Sequence, residues 1–277
     1  MRYRPTPPFL LLRRLVHSIE ANGLRGAIVD SYKRLNSSLL NHGISGTFKR
    51  VAREAPKSRE EAIPLKPHPF DLLHDTDTGG YIDGANLPAI SLSGLYITAY
   101  GSISPAVLAQ ALSELPIQYE NFTFVDIGCG KGRALLVAAQ FPFRRLLGVE
   151  IATELCEIAH ANVAKSPDWA ARISIVNQDA INVTYPDGPL LLFLYNPFFA
   201  PVLRRTLKNL ERQLHRSPRP AYLPYALNPR FPKVMDSFPF LREISETSYS
   251  FSSEDEASGP FHRADESLTL YAVDITS

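Results

Sequence analysis

Apolar side chains fall along this chain in short unbroken runs separated by stretches with helical spacing, and the alternation is sharpest between Phe122 and Val163. Phe122, Phe124, Val125 and Ile127 combine aromatic and β-branched side chains, the composition of a strand covered on both faces of a parallel sheet. That run stops at Gly128-Cys129-Gly130-Lys131-Gly132. A helix is predicted over 133–140, and a second strand, 146–149, ends in Glu150. Leu155, Ile158, Ala159 and Val163 share the next helical face, with Thr153 placed to cap it. A third strand over 173–176 leads into Asn177-Gln178-Asp179-Ala180, and a fourth over 190–195 ends in Asn196-Pro197-Phe198-Phe199. Pro201 opens a long helix with Leu203, Leu207, Leu210 and Leu214 on one side. A fifth strand is read over 222–227, although Pro224 is unexpected in a central strand, and Asn228-Pro229 makes a turn at its end. Residues 240–244 and 268–273 read as an antiparallel pair, joined by a polar, acidic loop over 252–266 expected to act as a mobile cover. Strands alternating with helices in this order predict an α/β domain.

Upstream, Ser104-Pro105 supplies an N-cap and a first-turn proline for a helix with Leu108, Ala111, Leu112 and Leu115 on one face, ended by Pro116. Two loops precede it: the polar turn cluster Asp75-Thr76-Asp77-Thr78-Gly79-Gly80, and a second one containing Tyr96, Tyr100 and Gly101. Pro56, Pro64, Pro67 and Pro69 interrupt any regular element over 55–70, which marks a linker. The expected organisation is therefore a basic helical appendage over 1–54, a proline-rich linker over 55–70, and a catalytic domain over 71–277.

Charge sharpens that division. The formal net charge is +1, but residues 1–60 hold 12 Lys and Arg against 4 Asp and Glu, leaving 17 against 24 in the remainder. Arg13, Arg14, Arg25, Lys33 and Arg34 are interleaved with apolar residues over 8–40, in two helices broken near Asn22-Gly23. Such a stretch docks on its own domain with the basic side in water, makes a peripheral contact with an anionic membrane, or binds an acidic partner. The apolar run 9–15 is too short to span a bilayer and has no small-residue cleavage pattern after it. The two cysteines, Cys129 and Cys156, form no disulfide framework, which points to a cytoplasmic protein. The seven histidines show no metal-ligand spacing, and no metal site is expected.

Candidate chemistry gathers at the glycine turn. Alternate glycines let a backbone turn sharply and approach a ligand closely. Glu150 lies 22 residues beyond Gly128, the separation at which an acid meets the ribose of a nucleotide cofactor. Arg133 stands where a dinucleotide fingerprint requires its third glycine, and Gly132-Arg133-Ala134 does not complete a phosphate-binding Walker loop. An NAD-dependent oxidoreductase is therefore disfavoured. Asp126, at an otherwise apolar strand end, suits a cationic amine, since a hydrogen bond to a charged group contributes roughly 1.5–3 kcal/mol.

The octapeptide Val125-Asp126-Ile127-Gly128-Cys129-Gly130-Lys131-Gly132 resembles motif I of the class I methyltransferases that use S-adenosylmethionine. That resemblance covers roughly residues 70–275. It implies a doubly wound, Rossmann-like seven-stranded sheet, mostly parallel with the last strand antiparallel, behind the N-terminal helical appendage. It also implies a cofactor site in which Gly128, Cys129, Gly130 and Gly132 border the methionine part, Asp126 helps hold its ammonium, and Glu150 takes the ribose. Asp179 would receive the adenine amino group and the Ala180 N–H a ring nitrogen. Tyr100-Gly101 is similar to the cofactor-covering loop of the disruptor-of-telomeric-silencing class of lysine methyltransferases, and Tyr100 would pack on the methionine end.

Asn196-Pro197-Phe198-Phe199 resembles the N-P-P-[FY] motif of amino-group methyltransferases, with Phe198 in place of the second proline. In such sites the asparagine and a carbonyl aim the lone pair of the target amine while an aromatic ring packs on the acceptor, which makes Asn196 and Phe198 the expected catalytic positions. The resemblance implies an amine acceptor, protein lysine or small molecule, and the near-neutral charge balance and lack of an aromatic-basic RNA motif argue against a nucleic acid. The competing expectation is a catalytically silent module that binds cofactor or partner and is tethered by its basic N-terminal segment.

Overall fold

The computed structural model describes residues 66–84, 87, 89, 91–226, 231–258 and 265–274, together with Leu12, Leu15, Val16, Ile19 and Leu24, which are helical. The expected appendage over 1–54, most of the linker, and the Asn228-Pro229 turn otherwise lie outside the described residues. A helix, Pro69–His74, already begins at the end of the predicted linker, with the His68 ring accepting from the Phe70 N–H.

Two short strands, β1 (Tyr81–Ile82) and β2 (Tyr100–Gly101), pair antiparallel. The main sheet is built from β3 (Thr123–Ile127), β4 (Arg145–Glu150), β5 (Ile173–Asn177), β6 (Leu190–Leu194), β7 (Ala221–Ala226), β8 (Leu241–Tyr249) and β9 (Glu266–Val273). Its spatial order is β5-β4-β3-β6-β7-β9-β8, with β9 alone antiparallel to its neighbours. The chain moves outward from β3 through β4 to β5, then returns to the other side of β3 as β6. That reversal opens a crevice at the carboxyl ends of the central strands, where a doubly wound fold places its ligand. The expected seven-stranded sheet with an antiparallel last strand is the one observed.

Every residue of β3 and of β6 is buried, because helices cover both faces. Strand alternation sends Phe124 and Phe193 to one face, under Leu108 and Leu112 of helix Pro105–Ser113 and Leu135 and Leu136 of helix Arg133–Ala138. It sends Val125, Ile127, Leu192 and Leu194 to the other, against Leu203, Leu207 and Leu210 of helix Ala200–Arg216. Pro224 does sit inside β7, between β6 and β9. The β6–β7 register passes from Leu191↔Tyr222 directly to Leu194↔Tyr225, so the residue without an N–H falls where that ladder is interrupted.

Two local expectations change. Thr153 is the first helical residue of Thr153–Val163 rather than its cap, and its hydroxyl bonds the Asn177 side chain, while the Glu150 carboxylate accepts from the Ala152 N–H ahead of the helix. The loop expected as a mobile cover contains a helix, Ser253–Ser258. Its Asp255 is wholly buried, bonded to His68 Nε2 at 3.1 Å and to Ser252, which fixes this end of the segment to the domain. Among the described residues no helix is long and apolar enough to cross a membrane.

Candidate functional site

Between β3 and helix Arg133–Ala138 the chain makes its turn through three left-handed glycines, Gly128 at φ 81°, Gly130 at 54° and Gly132 at 90°. At two of them space is as restrictive as conformation. A Cβ on Gly128 would overlap the Pro197 ring, and one on Gly130 would overlap the ring of Tyr100. Gly132 plays a different part. It caps the following helix and faces Ala159, and it lines neither of the cavities described below.

The two acids flank this turn. Parallel pairing of β3 with β4 sets Asp126 beside Gly148 and carries Glu150 one residue past the end of β3. Glu150 is buried, and each carboxylate oxygen accepts one backbone bond, from Gly130 N–H at 2.9 Å and Ala152 N–H at 2.8 Å. Burial raises its pKa and those backbone donors oppose the rise. Asp126 is 3 % exposed and is pushed up to about 8, mainly by burial and further by the Glu150 charge. Asp179 caps the short 3₁₀ turn Ala180–Asn182 through its bond to the Ile181 N–H.

Tyr100 lies over the glycine turn, its hydroxyl donating to the Thr78 carbonyl at 2.6 Å. The Asp75–Gly80 cluster that supports it is fastened from below. Asp71 accepts from Thr76 Oγ1, Thr78 N–H and Thr78 Oγ1, and its second oxygen meets Arg133 Nη2 at 2.6 Å. Arg133 Nε also donates to Thr78 Oγ1, and Lys131 Nζ reaches Asp77 and the Gly79 carbonyl. Asn162 bonds both ends of the junction, to Asp77 and to the Lys131 carbonyl. The residue that breaks the dinucleotide pattern, Arg133, is thus the anchor of the cover.

At the end of β6, Asn196 takes a left-handed φ of 45°. Its Oδ1 accepts from Tyr225 Oη at 2.8 Å, and its carbonyl accepts from Thr98 Oγ1 at 2.5 Å. The segment Tyr96–Thr98 lies antiparallel to Pro197–Phe199, joined by Thr98 N–H to Pro197 O, Phe199 N–H to Tyr96 O, and the Ile97↔Phe198 bridge. The Asn196 side chain therefore ties β6 to β7, whereas Pro197 and the buried Phe198 form wall.

These elements line a cleft, open to solvent, of about 650 Å³ that brings together Tyr100, Gly128, Gly130, Glu150, Asp179, Ala180 and Phe198. A smaller cavity of about 300 Å³ adjoins it and is lined by Asp126, Cys129 and Arg133, and Tyr195 lines both. Nine of the eleven expected positions thus line one cavity or both; Gly132 and Asn196 stand outside. Sequence reasoning missed the opposite wall, Leu87, Ser93, Ile97 and Thr98, which the pairing of 96–98 with the β6 end delivers. It also missed Tyr195 and Arg133, whose neighbours come from distant segments. Among the described residues no group of three His, Cys, Asp or Glu could hold a metal.

Residues 124–217, about a third of the chain, match the family model described as a methyltransferase domain. No curated protein matches the chain by sequence. Solved structures similar to it include the StiE O-MT segment, at 17 % identity over 62 % of this chain and 75 % of that one, TM-score 0.44. Magnesium protoporphyrin IX methyltransferase from Synechocystis gives 13 % identity over 61 % and 77 %, TM-score 0.41. Geranyl diphosphate C-methyltransferase from Streptomyces coelicolor gives 13 % over 62 % and 77 %, TM-score 0.42. The matched segment runs from β3 through the glycine cradle, both acids and the β6 end to helix Ala200–Arg216, and it is this segment that is similar to a methyltransferase domain.

Proposed function

We propose that this domain methylates an amine nitrogen, with protein lysine and small-molecule amines as the candidate acceptors. The observation supporting this is the charge around the cavities. Asp126, Glu150 and Asp179 line them, and the sole lining cation among the described residues, Arg133, is paired with Asp71. An acid-lined site favours a cofactor with a sulfonium and an ammonium, whose charge draws the carboxyl groups into their ionised form, and an acceptor that arrives as an ammonium. Bound S-adenosylmethionine supplies an electrophilic methyl group. Glu150 would hold its ribose, Asp126 its ammonium, Asp179 and Ala180 its adenine, and Tyr100 would close over the methionine end. Asn196 fixes the strand end beside the acceptor, and Phe198 with Pro197 excludes water, so that the protein contributes chiefly by placement. Two unpaired buried cysteines accord with a cytoplasmic location.

The test is transfer of isotope-labelled methyl to a panel of lysine peptides, small amines, alcohols, thiols and carbon acids. Label appearing on nitrogen alone is the expected result. Transfer confined to oxygen, sulfur or carbon would overturn the amine reading, and cofactor binding without turnover on any acceptor would favour a silent binding module.

A further inference from the structure

Glu266, the first residue of β9, has no exposed surface. Neither carboxylate oxygen has a hydrogen-bond partner of ordinary geometry among the described residues. Because β9 runs against the other strands, it starts where they end. Ala226, the last residue of β7, pairs with Leu268, so Glu266 extends two residues beyond it at the cofactor edge. Alternation puts Glu266 on the face of Leu268, which packs in the same cluster as Phe193, with Tyr195 at its margin. Tyr195 lines both cavities, and its hydroxyl interacts electrostatically with the Glu266 carboxyl group.

A wholly buried carboxyl group without a donor is uncommon and costly, and such a group calls for a reason. The charged neighbours do not supply one. Arg133 is engaged by Asp71, and Asp255 is engaged by His68 and Ser252 while adding its own negative charge. Asp126, another acid, lines the smaller cavity. Among the described residues, what this cluster lacks once Glu266 is ionised is a cation or a proton, and the acceptor of the proposed reaction brings both.

We propose that Tyr195 and Glu266 form the proton relay for the methyl acceptor, Tyr195 as the catalytic residue touching the amine and Glu266 as the positioning residue that receives the proton through it. This rests on the amine reading. An acceptor ammonium gives a proton to the Tyr195 oxygen as the Tyr195 hydroxyl proton passes to the Glu266 carboxylate. The exposed nitrogen lone pair then forms the new N–C bond while the methyl–sulfur bond breaks, its electron pair remaining on sulfur. One proton has moved from ammonium to Glu266, and it leaves to solvent after the product. Burial raises Glu266 to about 8 and the Tyr195 hydroxyl opposes the rise, so the ionised carboxylate takes a proton readily and returns it near that pH.

The experiment is calorimetric titration of the whole protein with S-adenosylhomocysteine and with sinefungin, the analogue that carries an ammonium at the position of the transferred methyl. Wild type is expected to bind sinefungin at least tenfold more tightly. Glu266→Gln and Tyr195→Phe are each expected to cut that preference at least fivefold while leaving S-adenosylhomocysteine affinity within twofold, which also reports that they fold. If one variant loses both ligands, the other decides. Absence of the preference in wild type, retention of it in the variants, or loss of both ligands in both variants overturns the relay. Labelled methyl on nitrogen with an unchanged preference in Glu266→Gln sinks the relay and spares the amine reading. Label only on oxygen or carbon sinks that reading by itself.

Discussion

Asp126 is held where a carboxylate is least comfortable, and its two roles pull in opposite directions. Its folded pKa of about 8 lies above its ordinary 3.8, so between those values the native state holds a proton that the unfolded chain has lost. Stability contributed through this group therefore falls as pH rises from about 4 to 8. Asp126→Asn is expected to raise Tm at pH 8, by about 2–4 °C for each kcal/mol recovered, with little change at pH 4. Differential scanning fluorimetry at the two pH values checks this. The same variant is expected to bind S-adenosylmethionine at least tenfold more weakly by calorimetry, about 1.4 kcal/mol, and an unchanged affinity would remove Asp126 from the cofactor site. Gly130→Ala combines a left-handed φ with a Cβ directed at the Tyr100 ring. It is expected to cost at least about 1 kcal/mol of stability and to weaken cofactor binding, whereas the same change at Gly80, where a Cβ meets nothing within 4 Å, strains only the backbone. Denaturant titration of the pair separates conformational strain from collision.

At the scale of elements, the cover is held by a buried ion pair more than by apolar contact. Helix Pro69–His74 buries Phe70 and Asp71 while Leu72 and Leu73 remain exposed, so its attachment depends on Asp71 meeting Arg133 and Thr78. Removing one partner of such a pair costs about 3–5 kcal/mol, because the other charge stays buried, while replacing both with apolar groups is far milder. Asp71→Leu and Arg133→Met are each expected to destabilise by that amount in urea titration, and the double variant by much less. Hydrogen exchange in the single variants should quicken first over 75–80 and at Tyr100; uniform acceleration across the sheet would show that the pair supports the whole core rather than its cover. Helix periodicity made the apolar faces legible in advance, but this pair was not, since residues 62 apart in sequence leave no spacing signal.

Across the whole molecule, one contact joins the start of the described domain to its last third: His68 to Asp255. Burial by itself would raise the Asp255 carboxyl, but hydrogen bonds from His68, Ser252 and Ser104 hold it well below its ordinary 3.8. A group lowered in this way contributes stability that is complete above pH 4 and declines as pH falls below it. Asp255→Asn is expected to be less stable than wild type at pH 7, with the gap closing on acidification below pH 4; a gap independent of pH would mean that packing rather than charge joins the two ends. The sequence by itself determined the alternation of strand and helix, the antiparallel closing strand, the glycine turn and the acids Asp126, Glu150 and Asp179. Those features are local: periodicity, φ > 0 and fixed offsets along one chain segment encode them. Tertiary structure alone decided that Arg133 anchors the cover, that 96–98 forms a cavity wall, that Asn196 faces Tyr225, and that Glu266 arrives beside Tyr195. Each of these depends on sheet order and register, which bring together side chains whose separation in sequence carries no trace of their contact.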